Sequence, residues 1–501
     1  MNASWLPGYS GSLLRAVSVV FLVSTLGGCS ASRMTTSPGH ASAIATALSS
    51  SSSPSLKQRI DALIPDTLFP PSNLGMKIVS LSRGEVLYEL NPDLIFNPAS
   101  NQKLFTSATA LCTLGEQYAF TTTLSADTTG KSALYVRGSG DPVLSTSDLD
   151  SMARAAAAAL PPGRRWTLTG DVSRFDDEYL GTGWMWDEEP GSYGMFLSPL
   201  SLNGNSINVI TTPGSRAGDT LRVTTDPVTR YVQIENHGIT VVDTVMHPLD
   251  VSRRWKERSN VLTVQGEMLG NGHPDTTQLS VWAPERYFLT VLAERLNARG
   301  IAVEELAVDT VRPSYPVASY THTLDSVITY QNKVSDNMSA ENVLKTLGAE
   351  LRGLPGSAEG GLSAVYEWLN GIGVDTTRIV LVDGSGLSRY DLTSANVIVA
   401  ILKAMHARDE HFPTFLRSLP VAGVDGTLSK RMRGTPAQDN LRAKTGTLGG
   451  VTSLSGYVTT ADGELLAFSI LMQKYPGTAR AYRQVQDRIG VLLSTLHRAL
   501  P

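Results

Sequence analysis

Between about Tyr118 and Tyr320 the sequence breaks into short strand-like runs split by Gly, Pro, Asp and Asn, for example Tyr135 to Gly140 and Leu221 to Thr225. Helical periodicity dominates the chain after this stretch. With 501 residues the chain exceeds what one core accommodates, since cores stop growing at roughly 250–300 residues. The change of texture therefore predicts one domain split in sequence, residues 56–117 and 321–501, interrupted by a β-rich region of one or two subdomains, residues 118–320. In the first piece, Gly75 to Leu81 and Glu85 to Leu90 flank a turn and predict a hairpin. A helix is expected after Pro98, carrying Leu104, Ala108, Ala110 and Leu111 on one face and closing at Gly115. In the second piece helices are expected at Asn342 to Leu351, Gly361 to Leu369, Ala395 to Ala407 and Arg480 to Leu500, with strands at Thr452 to Val458 and Leu465 to Met472. The final strand, strand and helix, joined by the opening hairpin, give an α/β (α+β) domain with an antiparallel sheet flanked by helices.

An apolar share of 42% and a charged share of 18% fit a globular chain rather than a disordered or coiled-coil one. The formal net charge is −4 and no basic run occurs, which argues against nucleic acid as a partner. The eight histidines are scattered, and neither H-E-x-x-H, paired Cys-x-x-Cys nor G-x-S-x-G occurs. No metal site and no cofactor are expected. The run Ala126 to Ser132 ends in Gly-Lys-Ser but has Ser125 where a phosphate-binding loop needs its first glycine, so it reads as a turn.

Residues 1–29 have the features of an export signal: Arg15, an apolar run from Ala16 to Leu26, then Gly27, Gly28 and Cys29. The run is too short to span a bilayer. The sequence LGGC resembles a bacterial lipobox, which implies lipidation at Cys29 and a protein tethered in the periplasm. Ser30 is not the aspartate associated with inner-membrane retention, so the outer membrane is the expected anchor. Residues 30–55 form a Ser-rich spacer. The other cysteine, Cys112, stands with Ala110, Leu111 and Leu114 at helical spacing and reads as a small buried apolar side chain.

Three short motifs carry the chemistry: Ser100-Asn101-Gln102-Lys103, Ser335-Asp336-Asn337 and Lys444-Thr445-Gly446. Each alone is weak, because S-x-x-K arises by chance in a chain of this length. In this order, with the first at a helix start and the last on a strand, they form a signature. Residues three apart share a helix face, so Lys103 can reach the Ser100 hydroxyl. A serine hydroxyl needs a base, and lysine serves only when neutral, so its ordinary value near 10.4 has to fall. Burial and a second cation, Lys444, are the expected causes. The helix start also favours negative charge developing at Ser100.

The spacing and the surrounding stretches resemble the class C low-molecular-mass penicillin-binding proteins, the D-alanyl-D-alanine carboxypeptidase/endopeptidase family. Lys103 and Ser335 stand 335 − 103 = 232 positions apart, far more than a β-lactamase leaves. Family-like stretches are RGSGDPVLS from Arg137, SPLSLNGN from Ser198, DGSGLSRYDLTS from Asp383, and LPVAGVDGTLSKRMRGT through RAKTGTLGGV. The resemblance implies a β-lactamase/transpeptidase-like catalytic domain that hydrolyses peptidoglycan stem peptides and is acylated by β-lactam antibiotics. It implies Ser100 as nucleophile, Lys103 as base, Ser335 as proton relay, Asn337 as a contact to substrate or lysine, and Lys444 and Thr445 as binders of a terminal carboxylate. Gly446 would let an extended substrate lie close, and the backbone N–H groups of Ser100 and Thr447 would form an oxyanion hole. The diamino acid side chain of the stem peptide would be held by Arg389 and Glu188, with Asp187 as neighbouring candidate. Arg389 reads equally as a surface residue, and the acidic pair as a solvated loop. Two rival readings share the motifs: a β-lactamase, and a peptidoglycan-binding scaffold with a dead site.

Overall fold

The computed structural model describes residues 54–65, 73–127, 132–310 and 314–498. The expected signal segment, Cys29 and most of the spacer lie outside the described residues. Ser55 caps a short helix, Leu56–Asp61, through a reciprocal pair with Gln58.

A five-stranded antiparallel sheet organises the split domain, in the order Arg442–Leu448, Val451–Thr459, Leu465–Gln473, Leu74–Ser80, Val86–Leu90. The opening hairpin thus joins the sheet built by the C-terminal strands, with Leu74 opposite Met472. The strand Leu465–Gln473 is almost wholly apolar because both its faces are covered. Leu466, Phe468 and Ile470 pack with Val485, Ile489 and Leu493 of the last helix, Arg480–Ser494. Ala467 and Leu471 turn to the other face, where helices Gln102–Leu114 and Ala395–His406 supply Leu104, Leu111, Ile398 and Leu402. This is the period of two that a strand dictates and the 3–4 spacing that a helix dictates. Helices Asn337–Arg352 and Ala358–Gly371 complete this layer. The half-buried Cys112 Sγ lies 3.7 Å from Met405 Sδ in it, and burial pushes its thiol up.

The inserted region is less purely β than its texture suggested. Its larger sheet is mixed, in the order Ala302–Val308, Arg165–Asp171, Ala133–Arg137, Ala119–Asp127, Tyr315–Thr323, with the first three strands parallel. Parallel neighbours need crossovers, and helices Thr146–Ala159 and Pro284–Asn297 pack here. The first is an alanine-rich segment started by a Ser145–Asp148 capping box, a signal that the Gly- and Pro-rich surroundings mask. The entering and leaving strands pair, Ala119 against Thr323, so the insert hangs on a two-stranded stem that ends just past the expected boundary. Three small sheets extend it, and one continuous core, including Leu168, Val209, Val264 and Leu292, runs through larger sheet and extensions alike. The insert docks along helix Asn337–Arg352: Asn342 Nδ2 donates to the Gly140 carbonyl at 3.2 Å, and buried Lys345 pairs with Asp176.

Candidate active site

Ser100 lies in a single 3-10 turn, Ala99–Asn101, that runs directly into helix Gln102–Leu114. Asn97 shapes the approach. Its Oδ1 accepts from the Ala99 N–H at 2.9 Å while its Nδ2 donates to the carbonyls of Ser388 and Asp391, and Ala99 is held at φ +46. Non-glycine residues in this left-handed region are uncommon and cluster at functional sites.

One turn on, Lys103 is fully buried. Its Nζ lies 3.2 Å from Ser100 Oγ and donates at 2.7 Å to both Asn337 Oδ1 and the Ser385 carbonyl. Burial lowers its pKa to about 8, against the opposing pull of Asp383, Asp336, Glu341 and Asp391. The carboxylates favour the ammonium form, while repulsion between the two buried lysines works against it on both. Lys444, also fully buried, is held well below the lysine range by desolvation and then by the charge of Lys103.

The S-D-N motif is placed by the start of a helix. Gln331–Ser335 is a π-helical turn that leaves Ser335 at φ +65, and Asp336 caps helix Asn337–Arg352 by accepting from the Ser339 N–H at 2.6 Å. The cap fixes Asn337 at the first helical position, pointed at Lys103. Ser335 Oγ in turn accepts from Lys444 Nζ at 2.9 Å.

The third motif occupies the edge strand Arg442–Leu448, stitched to the Ser100 turn by Asn101 Nδ2 on the Lys444 carbonyl at 3.0 Å. A Cβ at Gly446 would stand 2.2 Å from Ser453 Oγ and 2.9 Å from the Ser100 nitrogen. Glycine is therefore required here by strand-to-turn packing, a reason beyond room for a substrate. Thr445 Oγ1 is 2.7 Å from Thr427 Oγ1, and Thr447 Oγ1 accepts from Arg483 Nη2 at 2.8 Å.

Ser100, Ser335, Asn337, Thr445, Gly446 and Thr447 line one cavity of about 400 Å³. A second cavity of about 560 Å³ shares its Thr447, Leu448 and Arg483 wall and is lined by both Glu188 and Arg389. Glu188 is pushed up by burial and by neighbouring Asp187, and Arg389 opposes that shift. Arg389 is exposed and donates to the Gly449 carbonyl at 3.1 Å.

Several residues went unnominated. Asp383 accepts from Gly386 N–H at 2.7 Å and Ser388 N–H at 2.9 Å, which shapes the loop that presents the Ser385 carbonyl to Lys103. Gly386 is at φ +79, and a Cβ there would meet the Ala99 carbonyl at 1.9 Å. Buried Glu341 receives the Gly384 N–H, and burial beside Asp383 raises it to about 8. An Asp-Gly-Ser-Gly run is a loop signal that could have pointed to the first two. Arg483, in the first turn of the last helix, had no local signal.

The geometry can polarise a serine, relay a proton along Ser335 and Lys444, and bind an anion beside Thr445 and Arg483. Among the described residues no cluster suited to a metal ion occurs. Residues 56–496 match the model of the D-Ala-D-Ala carboxypeptidase 3 (S13) family. A D-alanyl-D-alanine carboxypeptidase from Actinomadura sp. (strain R39) is 35% identical over 88% of this chain and 84% of its own. The D-alanyl-D-alanine carboxypeptidase DacB of Haemophilus influenzae is 26% identical over 81% of this chain and 86% of its own. The crystal structure of penicillin binding protein 4 (dacB) from Haemophilus influenzae shares the fold, with a TM-score of 0.75 at 23% identity, covering 87% of this chain and 99% of that one. On the extent of these matches, the chain belongs to the D-Ala-D-Ala carboxypeptidase 3 (S13) family and is a serine DD-peptidase.

Proposed function

We propose that Ser100 is the nucleophile and Lys103 its general base, and that the substrate is the D-alanyl-D-alanine end of a peptidoglycan stem peptide. The observation that carries this reading is the 3.2 Å approach of a buried lysine, its pKa lowered to about 8, to a half-exposed serine at a helix start. Ser100 Oγ attacks the penultimate D-alanine carbonyl and its proton passes to Lys103. The tetrahedral oxygen is held by the backbone N–H groups of Ser100 and Thr447. Ser335, hydrogen-bonded to Lys444, relays the proton taken up by Lys103 to the leaving amine, which returns Lys103 to its neutral form for the attack of water. A water then attacks the acyl-enzyme and releases the shortened peptide. Lys444, Thr445 and Gly446 receive the C-terminal D-alanine, and Arg483 adds a cation for its carboxylate.

The cavity lined by Glu188 and Arg389 offers an acidic and a basic partner to the side chain of the stem peptide's diamino acid. β-Lactams present to Ser100 an acyl group equivalent to the peptide's but held in a strained ring, and leave it covalently blocked. A related reading adds export, with lipidation at Cys29 and a periplasmic, outer-membrane-tethered enzyme. Mass spectrometry of the membrane fraction tests it: a lipid-carrying N-terminal Cys29 supports it, and an unmodified Cys29 rejects it. Digestion of purified muropeptides tests the activity. Loss of single D-alanines marks carboxypeptidase action, monomers from dimers mark endopeptidase action, and intact muropeptides reject the reading.

A further inference from the structure

The segment from Gly183 to Tyr193 leaves the insert, crosses the rim of the cleft and returns. It is fastened at both sides. On the insert side buried Arg253 pairs with Glu189, and the Ser280 N–H donates to the Pro190 carbonyl at 2.9 Å. On the catalytic side Trp184 Nε1 donates to Asp383 Oδ2 at 3.0 Å, and Asn337 Nδ2 donates to the Tyr193 carbonyl at 3.0 Å. Trp184 also packs with Met195, Leu197 and Met338, the residue that follows Asn337. Gly183, at φ +77, lets the segment lie against Ser388 and Tyr390, since a Cβ there would stand 2.5 Å from Ser388 Oγ.

These catalytic-side anchors are not scattered. Lys103 has two 2.7 Å acceptors, Asn337 Oδ1 and the Ser385 carbonyl. Tyr193 orients the amide that contains the first. Trp184 holds Asp383, whose carboxylate also accepts from Ser385 Oγ at 3.1 Å and so shapes the turn presenting the second. Two residues of one insert segment therefore reach both acceptors of the lysine, each through one intermediate side chain.

We propose that the Gly183–Tyr193 segment is a positioning strap: through Trp184 on Asp383 and Tyr193 on Asn337 it fixes the two hydrogen-bond acceptors that hold Lys103, making the insert part of the acylation machinery. Trp184 and Tyr193 act as positioning residues, since their contacts reach Lys103 only through Asp383 and Asn337. The proposal rests on Lys103 being the base for Ser100.

Both acceptors favour the ammonium form of the lysine, so loosening them makes that form less favourable and the base neutral at lower pH. It also leaves Lys103 less well aimed at Ser100. The test is Trp184→Phe in the full chain, which keeps an aromatic ring and removes the N–H donor. Acylation by a fluorescent penicillin is followed from pH 5 upward, with Lys103→Ala alongside. The expected result is a plateau rate reduced about tenfold, as for loss of a hydrogen bond to a charged group, together with an acidic limb displaced to lower pH. The position of the limb reports folded molecules only, so partial unfolding lowers amplitude without moving it. A rate that falls with the limb at its wild-type position marks a merely structural role and overturns the proposal. An unchanged rate and limb, while Lys103→Ala is inactive, overturns the strap alone. A Lys103→Ala protein that acylates at the wild-type rate overturns the assignment of the base and the strap with it.

Discussion

Lys103 Nζ is closer to Asn337 Oδ1, at 2.7 Å, than to Ser100 Oγ, at 3.2 Å. The lysine is thus held by a neutral amide beside the hydroxyl it has to deprotonate. Burial lowers its pKa to about 8. The neutral form, which can accept the Ser100 proton, predominates above that value. The rate of acylation should fall about tenfold for each pH unit below roughly 8 and level off above it. Stopped-flow quenching with a fluorescent penicillin measures this, and a flat profile from pH 6 to 8 would exclude Lys103 as the titrating base.

Asn337→Asp places a carboxylate where the amide oxygen now accepts from Lys103. An opposite charge at hydrogen-bond distance favours the ammonium, by about one pKa unit or more. The acidic limb should move to higher pH and the rate at neutrality should drop at least about tenfold. The same pH series reads it, and a limb that stays in place or moves downward contradicts the arrangement.

Gly446→Ala should damage both stability and rate. The added methyl would stand 2.2 Å from Ser453 Oγ and 2.9 Å from the Ser100 nitrogen, so the strand or the Ser100 turn has to shift. Overpacking of this kind costs about 1–3 kcal/mol, and the displaced nucleophile should acylate about a hundredfold more slowly. Thermal melts and acylation rates check the two effects, and a variant with wild-type values in both would mean that the strand does not set the position of Ser100.

The sheet and the three motifs were legible because their signals are local. The apolar run Leu465 to Met472 needed no knowledge of its partners to read as a strand, and Ser335-Asp336-Asn337 carries its own helix cap in Asp336. What stayed hidden depends on packing between segments distant in sequence. The helix Thr146–Ala159 was submerged in turn-rich surroundings, although its alanines and its Ser145–Asp148 cap were present. The carboxylates around Lys103 gather from Asp336, Glu341, Asp383 and Asp391, and only the folded chain brings them to the lysine. Arg483 meets Thr447 from 36 positions away, and Trp184 meets Asp383 from 199. Glu188 and Arg389, nominated through a resemblance alone, do line one cavity.

The nucleophile is the claim on which the rest depends. Ser100→Ala removes one hydroxyl from the start of a helix, so its cost in stability should be at most about 1 kcal/mol. Without that hydroxyl no acyl-enzyme can form, and DD-peptidase turnover should fall at least about 10⁴-fold. Intact-protein mass spectrometry after penicillin treatment and denaturation tests this most directly. The account predicts one covalent adduct on the wild-type chain and none on Ser100→Ala, and a stoichiometric adduct on the Ser100→Ala protein would contradict it.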